Sequence, residues 1–258
     1  MAPEPVEPFV KHRAGAPPGF FAAEARGLRW LAESVPHGGP MVPEVLAVDA
    51  ERITLTRVAA GPWTARADEA FGRSLAAMHR LGSPRFGAAG SQAVDGFIGP
   101  LPQDDTGEDD WPTFYGRRRI QPMLGRALDA GALGNEAVPV FERLVERLAE
   151  LAGPPEPPAR LHGDLWRGNV LADGAGRVWV IDPSAHGGHR ETDLAMMRLF
   201  GGFGPACEAA YAEAFPLAEG WRDRVALHQL YPLLVHAVLF GGHYGGQALA
   251  VARRYGGR

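Results

Sequence analysis

Two carboxylates and an amide lie close together in one stretch of the chain, residues 160–193, RLHGDLWRGNVLADGAGRVWVIDPSAHGGHRETD. Asp164 sits in the loop His162-Gly163-Asp164, Asn169 follows five positions on, and Asp182 lies thirteen beyond that. Between Asn169 and Asp182 the composition reads as a hairpin. Val170-Leu171 is a short apolar run, residues 172–176 (ADGAG) are turn chemistry, and Val178-Trp179-Val180-Ile181 is β-branched and aromatic. Antiparallel pairing would bring the Asn169 amide oxygen and the Asp182 carboxylate together at the open end of the ribbon. Such hard oxygen donors suit Mg²⁺, which keeps several waters and completes its shell with one or two protein oxygens and substrate phosphates. Asp164, just upstream, is then placed to accept the proton of an attacking hydroxyl. The chemistry implied is phosphoryl transfer, with Asp164 catalytic and Asn169 and Asp182 holding the metal.

A second signal is compositional. Of the 26 lysine and arginine side chains, one is a lysine, Lys11. It follows Phe9-Val10 on a segment that reads as a strand, and a compact ammonium charge on a strand suits the phosphates of a nucleotide.

The elements that must position these groups are legible in part. Residues 20–34 form an amphipathic helix whose apolar stripe runs through Phe21, Ala25, Leu28, Ala32 and Val35, with Glu24 beside it. Residues 43–49 and 53–58 read as strands joined by a turn over 49–52, and 64–81 as a helix with Phe71, Leu75 and Met78 inward and Gly82 as its stop. A periodic helix spans 136–151, and the proline run over 153–158 is a stiff connector into the catalytic loop. Beyond Phe203 the chain reads as helices over 206–215, 223–240 and 247–255. Asp193 opens the helical run 194–200 and reads as its N-cap, with bracing of the catalytic loop as a further role. His79 reads as a packed histidine. His228, His236 and His243 fit packing and carbonyl bonding better than a metal site. The acidic residues Asp104, Asp105, Glu108, Asp109 and Asp110 read as a solvated loop.

The chain has 258 residues, 46% hydrophobic and 22% charged, enough for one large domain or two lobes with a sizeable core. A net charge of −4 and a pI near 6.1 give no reason to expect nucleic acid or a membrane surface as partner, so a small ligand is expected. The single cysteine, Cys207, excludes an intramolecular disulfide and suits a reducing, cytoplasmic setting. There is no apolar run of transmembrane length, and the start MAPEPVEPF is too proline-rich and acidic for a secretory signal.

The loop and metal motifs resemble the catalytic loop and metal aspartate of protein kinases, with two departures. Gly163 stands where protein kinases have arginine, and Asp182-Pro183-Ser184 lacks their phenylalanine; both point to small-molecule kinases of that fold. The runs HGDLWRGNV, IDPS and GHRETDLAMMRLFGGF, with GFIGPLPQ and WPTFYGRRR upstream, closely resemble the fructosamine (ketosamine) kinase family. Trp166 is the sharpest marker, since aminoglycoside-type relatives usually carry histidine there.

That resemblance implies an α+β, two-lobed protein-kinase-like fold, with a reduced N-terminal sheet lobe over 1–59 and a mainly helical C-terminal lobe over 60–258. It implies ATP and Mg²⁺ as cofactors and phosphorylation of a sugar hydroxyl on a ketosamine, which destabilises the adduct and releases the amine as deglycation repair. Lys11 and Glu24 would form an ion pair facing the phosphates. The Thr56 carbonyl and Val58 amide would bond the adenine edge, Trp166 would wall the sugar, and His162 would brace the loop. One part of the family pattern is missing. Only ten residues, none of them glycine, precede Lys11, where a glycine-rich phosphate loop belongs. The expectation is a truncated start or a lost phosphate cover, with weak nucleotide affinity or a partner over the open edge. The alternatives are a same-fold kinase of an aminoglycoside, choline or homoserine-type alcohol, and a non-enzymatic remnant.

Overall fold

The structure, a computed structural model, describes residues 7–89 and 95–257. The first six residues of the stretch that lacks the glycine-rich loop lie outside it. The small lobe contains strand β1 (Phe9–His12), helix α1 (Phe20–Ala32) and strands β2 (Val45–Val48) and β3 (Arg52–Leu55). These strands make an antiparallel sheet of order β1-β3-β2, with Lys11 opposite Ile53. The turn between β2 and β3 is closed by Asp49, whose Oδ1 accepts from the Glu51 and Arg52 amides at 3.0 Å each. Helix α1 buries Phe21, Ala25, Leu28 and Leu31 and stops at Ala32. Val35, expected on its stripe, belongs to a separate 3₁₀ turn, because Pro36 has no N–H to donate to the Ala32 carbonyl and cannot extend the α-helical ladder. β1 is an edge strand, and its Phe9 and Val10 are 42% and 52% exposed.

The large lobe begins with α2 (Ala65–Leu81), capped by Thr64, whose hydroxyl accepts from the Ala67 amide at 3.2 Å. A short hairpin, β4 (Gly96–Ile98) and β5 (Leu101–Gln103), is followed by α3 (Trp111–Phe114), a π-helical stretch (Tyr115–Ile120) and α4 (Gln121–Asp129). The helix expected over 136–151 is divided into α5 (Val138–Glu146) and α6 (Leu148–Leu151). The proline connector then delivers the chain into β6 (Ala159–Leu161), which pairs with β9 (His186–Gly188) and frames the hairpin β7 (Val170–Ala172) and β8 (Val178–Val180). Helices α7 (Glu191–Phe200), α8 (Pro205–Ala214), α9 (Trp221–Phe240) and α10 (Tyr244–Gly256) complete the lobe. Among the described residues no helix is long and apolar enough to cross a membrane.

Helix α9 continues past Pro232, where a missing N–H leaves the His228 carbonyl without its helical donor. The π stretch supplies the repair. The Tyr115 hydroxyl donates to the Leu227 carbonyl at 2.7 Å and accepts from the Tyr231 amide at 3.2 Å, bridging that rung, and lies 3.5 Å from the His228 carbonyl that Pro232 leaves without a donor.

The acidic run is solvated only in part: Asp109 and Asp110 are exposed, whereas Asp105 is buried. Asp104 and Glu108 pair with Arg118, buried Asp105 pairs with Arg119 at 2.6 Å, Asp109 meets Arg85, and Asp110 caps α3. Two apolar clusters form the core. One fills the helical lobe. The other joins Phe21, Leu28 and Ile53 of the small lobe to Phe71 and Leu75 on α2 and to Val170 and Val180 on the hairpin, so apolar packing is continuous across the boundary expected near Ala59.

Candidate active site

Strand β1 and helix α1 bring two charges together at the cleft between the lobes. Lys11 Nζ donates to Glu24 Oε1 at 2.6 Å and to Asp182 Oδ1 at 2.6 Å. Burial alone would lower the lysine's pKa, but the Glu24 and Asp182 carboxylates outweigh it and leave it raised, so the ammonium is charged. Asp182 is the one non-glycine residue among those described with a left-handed backbone, at φ 56°. Conformations of this kind cost free energy and persist where the surroundings hold them in place.

The loop that carries Asp164 is held by Asp193. Its carboxylate accepts from the His162 amide at 2.8 Å, from the Gly163 amide at 2.9 Å, and lies 3.1 Å from His79 Nε2. Asp193 is therefore not an N-cap. Helix α7 begins at Glu191 with Arg190 in the cap position, which puts Asp193 inside the first turn, completely buried and aimed at the loop. His79 is packed, as the sequence indicated, and its Nδ1 meets the Tyr211 hydroxyl at 2.8 Å.

His162 is fixed as well. Its Nε2 donates to the Ile181 carbonyl at 2.8 Å, which leaves Nδ1 to accept from the Asp164 amide at 3.3 Å and fixes the ring tautomer. Gly163 has φ 83°, and a Cβ there would stand 2.0 Å from the Ser184 carbonyl oxygen. That contact explains why no larger residue occupies the position. Burial raises the Asp164 carboxyl above the usual aspartate range, against the opposing influence of His162, His236 and Asn169. Asn169 turns both amide contacts to Asp164, donating to its carbonyl at 2.9 Å and to its Oδ2 at 3.2 Å, so the amide oxygen is the atom it can offer elsewhere.

A cavity of about 340 Å³ gathers Lys11, Glu24, Asp164, Trp166, Asn169 and Asp182. The Trp166 indole folds over Gly168, where a Cβ would collide with the ring, and it remains 42% exposed. Thr56 and Val58 are not in this cavity. They line a separate groove on the interlobe connection with Val42, Glu44 and Trp179, and the Thr56 amide is already bonded to the Glu44 carbonyl at 2.9 Å. Asn169 and Asp182 offer hard oxygen donors beside a lysine at the cleft, a set whose chemistry fits a divalent cation. The three helical histidines do not gather. His228 instead meets His189 and Glu191, and both Glu191 oxygens are occupied by Arg224 at 2.6 and 2.9 Å, an ion-pair network.

Two features escaped sequence reading. One is the direct Lys11–Asp182 contact, which joins residues 171 positions apart. The other is a second cavity on the far side of Asp164, whose walls come from scattered positions on α7 and α9. Helical periodicity marks such positions only as apolar.

The same two-lobed arrangement recurs in solved structures. The crystal structure of a protein from Thermobifida fusca assigned as a fructosamine-3-kinase matches with a TM-score of 0.87 and 49% identity, covering 95% of this chain and 84% of that one. A macrolide 2′-phosphotransferase from Brachybacterium faecium shares the fold alone, with a TM-score of 0.55 and 17% identity over 95% of this chain and 83% of that one. The fold is thus α+β and kinase-like, with a smaller N-terminal sheet and a mostly helical C-terminal lobe. A family model described as fructosamine kinase matches residues 4–255, and the chain belongs to that family. Among its relatives is a protein of Thermus thermophilus named a probable ketoamine kinase, 38% identical over 92% of this chain and 83% of its own length. Another is a chloroplastic protein-ribulosamine 3-kinase of Arabidopsis thaliana, 33% identical over 96% of this chain and 75% of its own length.

Proposed function

We propose that the chain transfers the γ-phosphoryl group of ATP to a sugar hydroxyl of a ketosamine, so that the phosphorylated adduct breaks down and releases its amine. The observation that carries this reading is the convergence of Lys11, Glu24, Asp164, Asn169 and Asp182 on one cavity, with Trp166 at its side. Lys11, oriented by Glu24, neutralises charge on the nucleotide phosphates. Asn169 and Asp182 would hold Mg²⁺, which would supply charge neutralisation at the phosphates. Asp164 orients the acceptor hydroxyl and takes its proton, a task for which a raised carboxyl pKa is suited because it brings the base nearer to operating pH. His162 and Asp193 keep that carboxylate in place. Trp166 presents its indole face to the C–H face of the sugar. The Thr56 carbonyl and Val58 amide of the interlobe connection would hold the adenine edge only if the nucleotide reaches past this cavity toward their separate groove. One buried cysteine, Cys207, suits a cytoplasmic setting.

The experiment is a phosphorylation screen with labelled ATP and Mg²⁺, presenting ribulosamine and fructosamine adducts beside an aminoglycoside, choline and homoserine. Label transfer to a ketosamine, lost in Asp164→Ala, is the expected result. Transfer only to one of the other alcohols, or to none, overturns the reading.

A further inference from the structure

The second cavity measures about 300 Å³ and shares Gly99, Asp164 and Trp166 with the first, so the two chambers meet at the candidate base. Their chemistry differs. The first holds Lys11, Glu24, Asp182 and Asn169, while the second is walled by Met196, Phe200, Val235, His236, Leu239 and Phe240. Among the described residues lining this second chamber, Asp164 is the one carboxylate, and there is no lysine or arginine. Several of its other polar atoms are engaged within the protein. The Tyr231 hydroxyl donates to Gln103 Oε1 at 2.9 Å, Thr192 Oγ1 meets His228 Nδ1 at 3.1 Å, and His236 Nδ1 donates to the Pro232 carbonyl at 2.8 Å.

Three aromatic side chains around it are left uncovered: Trp166 is 42% exposed, Phe200 38% and Phe240 68%. Together they account for three of the seven exposed large apolar side chains among the described residues, gathered at one opening beside the candidate base. Uncovered apolar surface concentrated at one concave site marks a place where a ligand is received.

In-line transfer fixes which part of a substrate lies here. The phosphoryl donor occupies the chamber of Lys11 and Asp182, the accepting hydroxyl stands at Asp164, and the rest of the acceptor must extend away from the incoming phosphate. The opening bounded by the same Asp164 and Trp166 is the second chamber.

The geometry points to this chamber as the seat of the group carried on the ketosamine nitrogen, and to selection there for adducts whose nitrogen substituent is uncharged and apolar, aromatic ones above all, over adducts of amino acids joined through their α-nitrogen. An α-amino acid would bring its carboxylate beside Asp164 with no lysine or arginine in the lining to meet it, and burying a poorly paired charge is unfavourable. An aromatic group instead gains ring contacts with Phe200 and Phe240. The inference rests on the ketosamine reading and narrows its substrate class.

The test is calorimetric binding of two probes, the fructose adducts of benzylamine and of glycine, with an ATP analogue titrated as a control. The wild-type chain should bind the benzylamine adduct at least roughly tenfold more tightly than the glycine adduct. Phe240→Ala should remove most of that advantage, Phe240→Leu should restore part of it, and nucleotide affinity should stay constant in both. Phe240 is largely exposed, so neither variant threatens the fold. Equal affinity for the two adducts, or an equal loss for both in Phe240→Ala, overturns this inference and leaves the ketosamine reading standing. Nucleotide binding with no binding of either adduct removes both.

Discussion

Replacing Asp193 with asparagine removes one charge and almost no volume, so it isolates what the buried carboxylate does for the catalytic loop. In the native chain its two oxygens serve the His162 amide at 2.8 Å, the Gly163 amide at 2.9 Å and His79 Nε2 at 3.1 Å. Asparagine keeps one acceptor oxygen and turns an NH₂ group toward donors that it cannot satisfy. Hydrogen bonds to a charged acceptor contribute about 1.5–3 kcal/mol each, and at least one backbone donor is left unpaired in a dry site. The expected loss is about 3 kcal/mol, or roughly 6–12 °C in Tm for a chain of this size. Urea unfolding followed by tryptophan fluorescence reads the first quantity and calorimetry the second. Because the loop carries Asp164, turnover should fall in the variant even at temperatures where it remains folded. A Tm within a degree or two of wild type would refute the reasoning, since it would mean that the loop is held by its other contacts.

Lys11→Arg keeps the charge but replaces a point donor with a longer planar fork, so the contacts to Glu24 and Asp182 cannot both be kept at 2.6 Å. Turnover should drop at least roughly tenfold, which corresponds to about 1.4 kcal/mol of transition-state stabilisation; unchanged kinetics would make the lysine incidental. For Asp164 the folded-state pKa is raised, so its contribution to stability is complete below the unfolded value and is lost as pH rises through the folded one. Asp164→Asn should therefore be at least as stable as wild type at pH 7 while losing activity, and the wild-type acid limb of the rate profile should lie above the ordinary aspartate range; a clear loss of stability at neutral pH would count against this account. Glu191 is the opposite case. Burial alone would raise it, but His228 and Arg224 outweigh burial and bring it down to about 2. Its contribution is present above the unfolded value and is lost as pH falls through about 2. Glu191→Gln should cost about 3 kcal/mol at pH 7 by leaving Arg224 buried without its counter-charge, and its stability should vary less with pH in the acid range; parallel acid profiles would show that Arg224 is served by other groups.

What the sequence made legible was local or compositionally odd. Asp164, Asn169 and Asp182 could be placed together because a hairpin of ordinary turn chemistry lies between two of them, and Lys11 stood out because arginine fills every other cationic position. Where tertiary partners decide, local pattern misled. Asp193 has the residue type and position of a cap, but the helix starts two residues earlier and its carboxylate is captured by a loop thirty residues upstream. The acidic run lacked visible partners because Arg118 and Arg119 reach it from the following helix. Pro232 is accommodated by a hydroxyl that approaches from 116 residues away, between Tyr115 and Tyr231. Thr56 and Val58 would act through backbone groups, which carry no signature in residue type.

The clamp around Lys11 also governs how the protein answers amine-directed chemistry. It carries the only ε-amino group in the 258 residues. A raised pKa and two carboxylate contacts keep that amine protonated, and aldehydes and acylating reagents attack only the neutral form. The chain's one lysine is thus shielded from condensation with reducing sugars. On the proposed function a divalent cation would draw Asp182 away, one of the two contacts would be lost and the proton would be held less tightly. The rate at which a small acylating reagent modifies Lys11 then becomes a chemical gauge of the cleft, slow with Asp182 on the lysine and faster once Asp182 has turned to another charge.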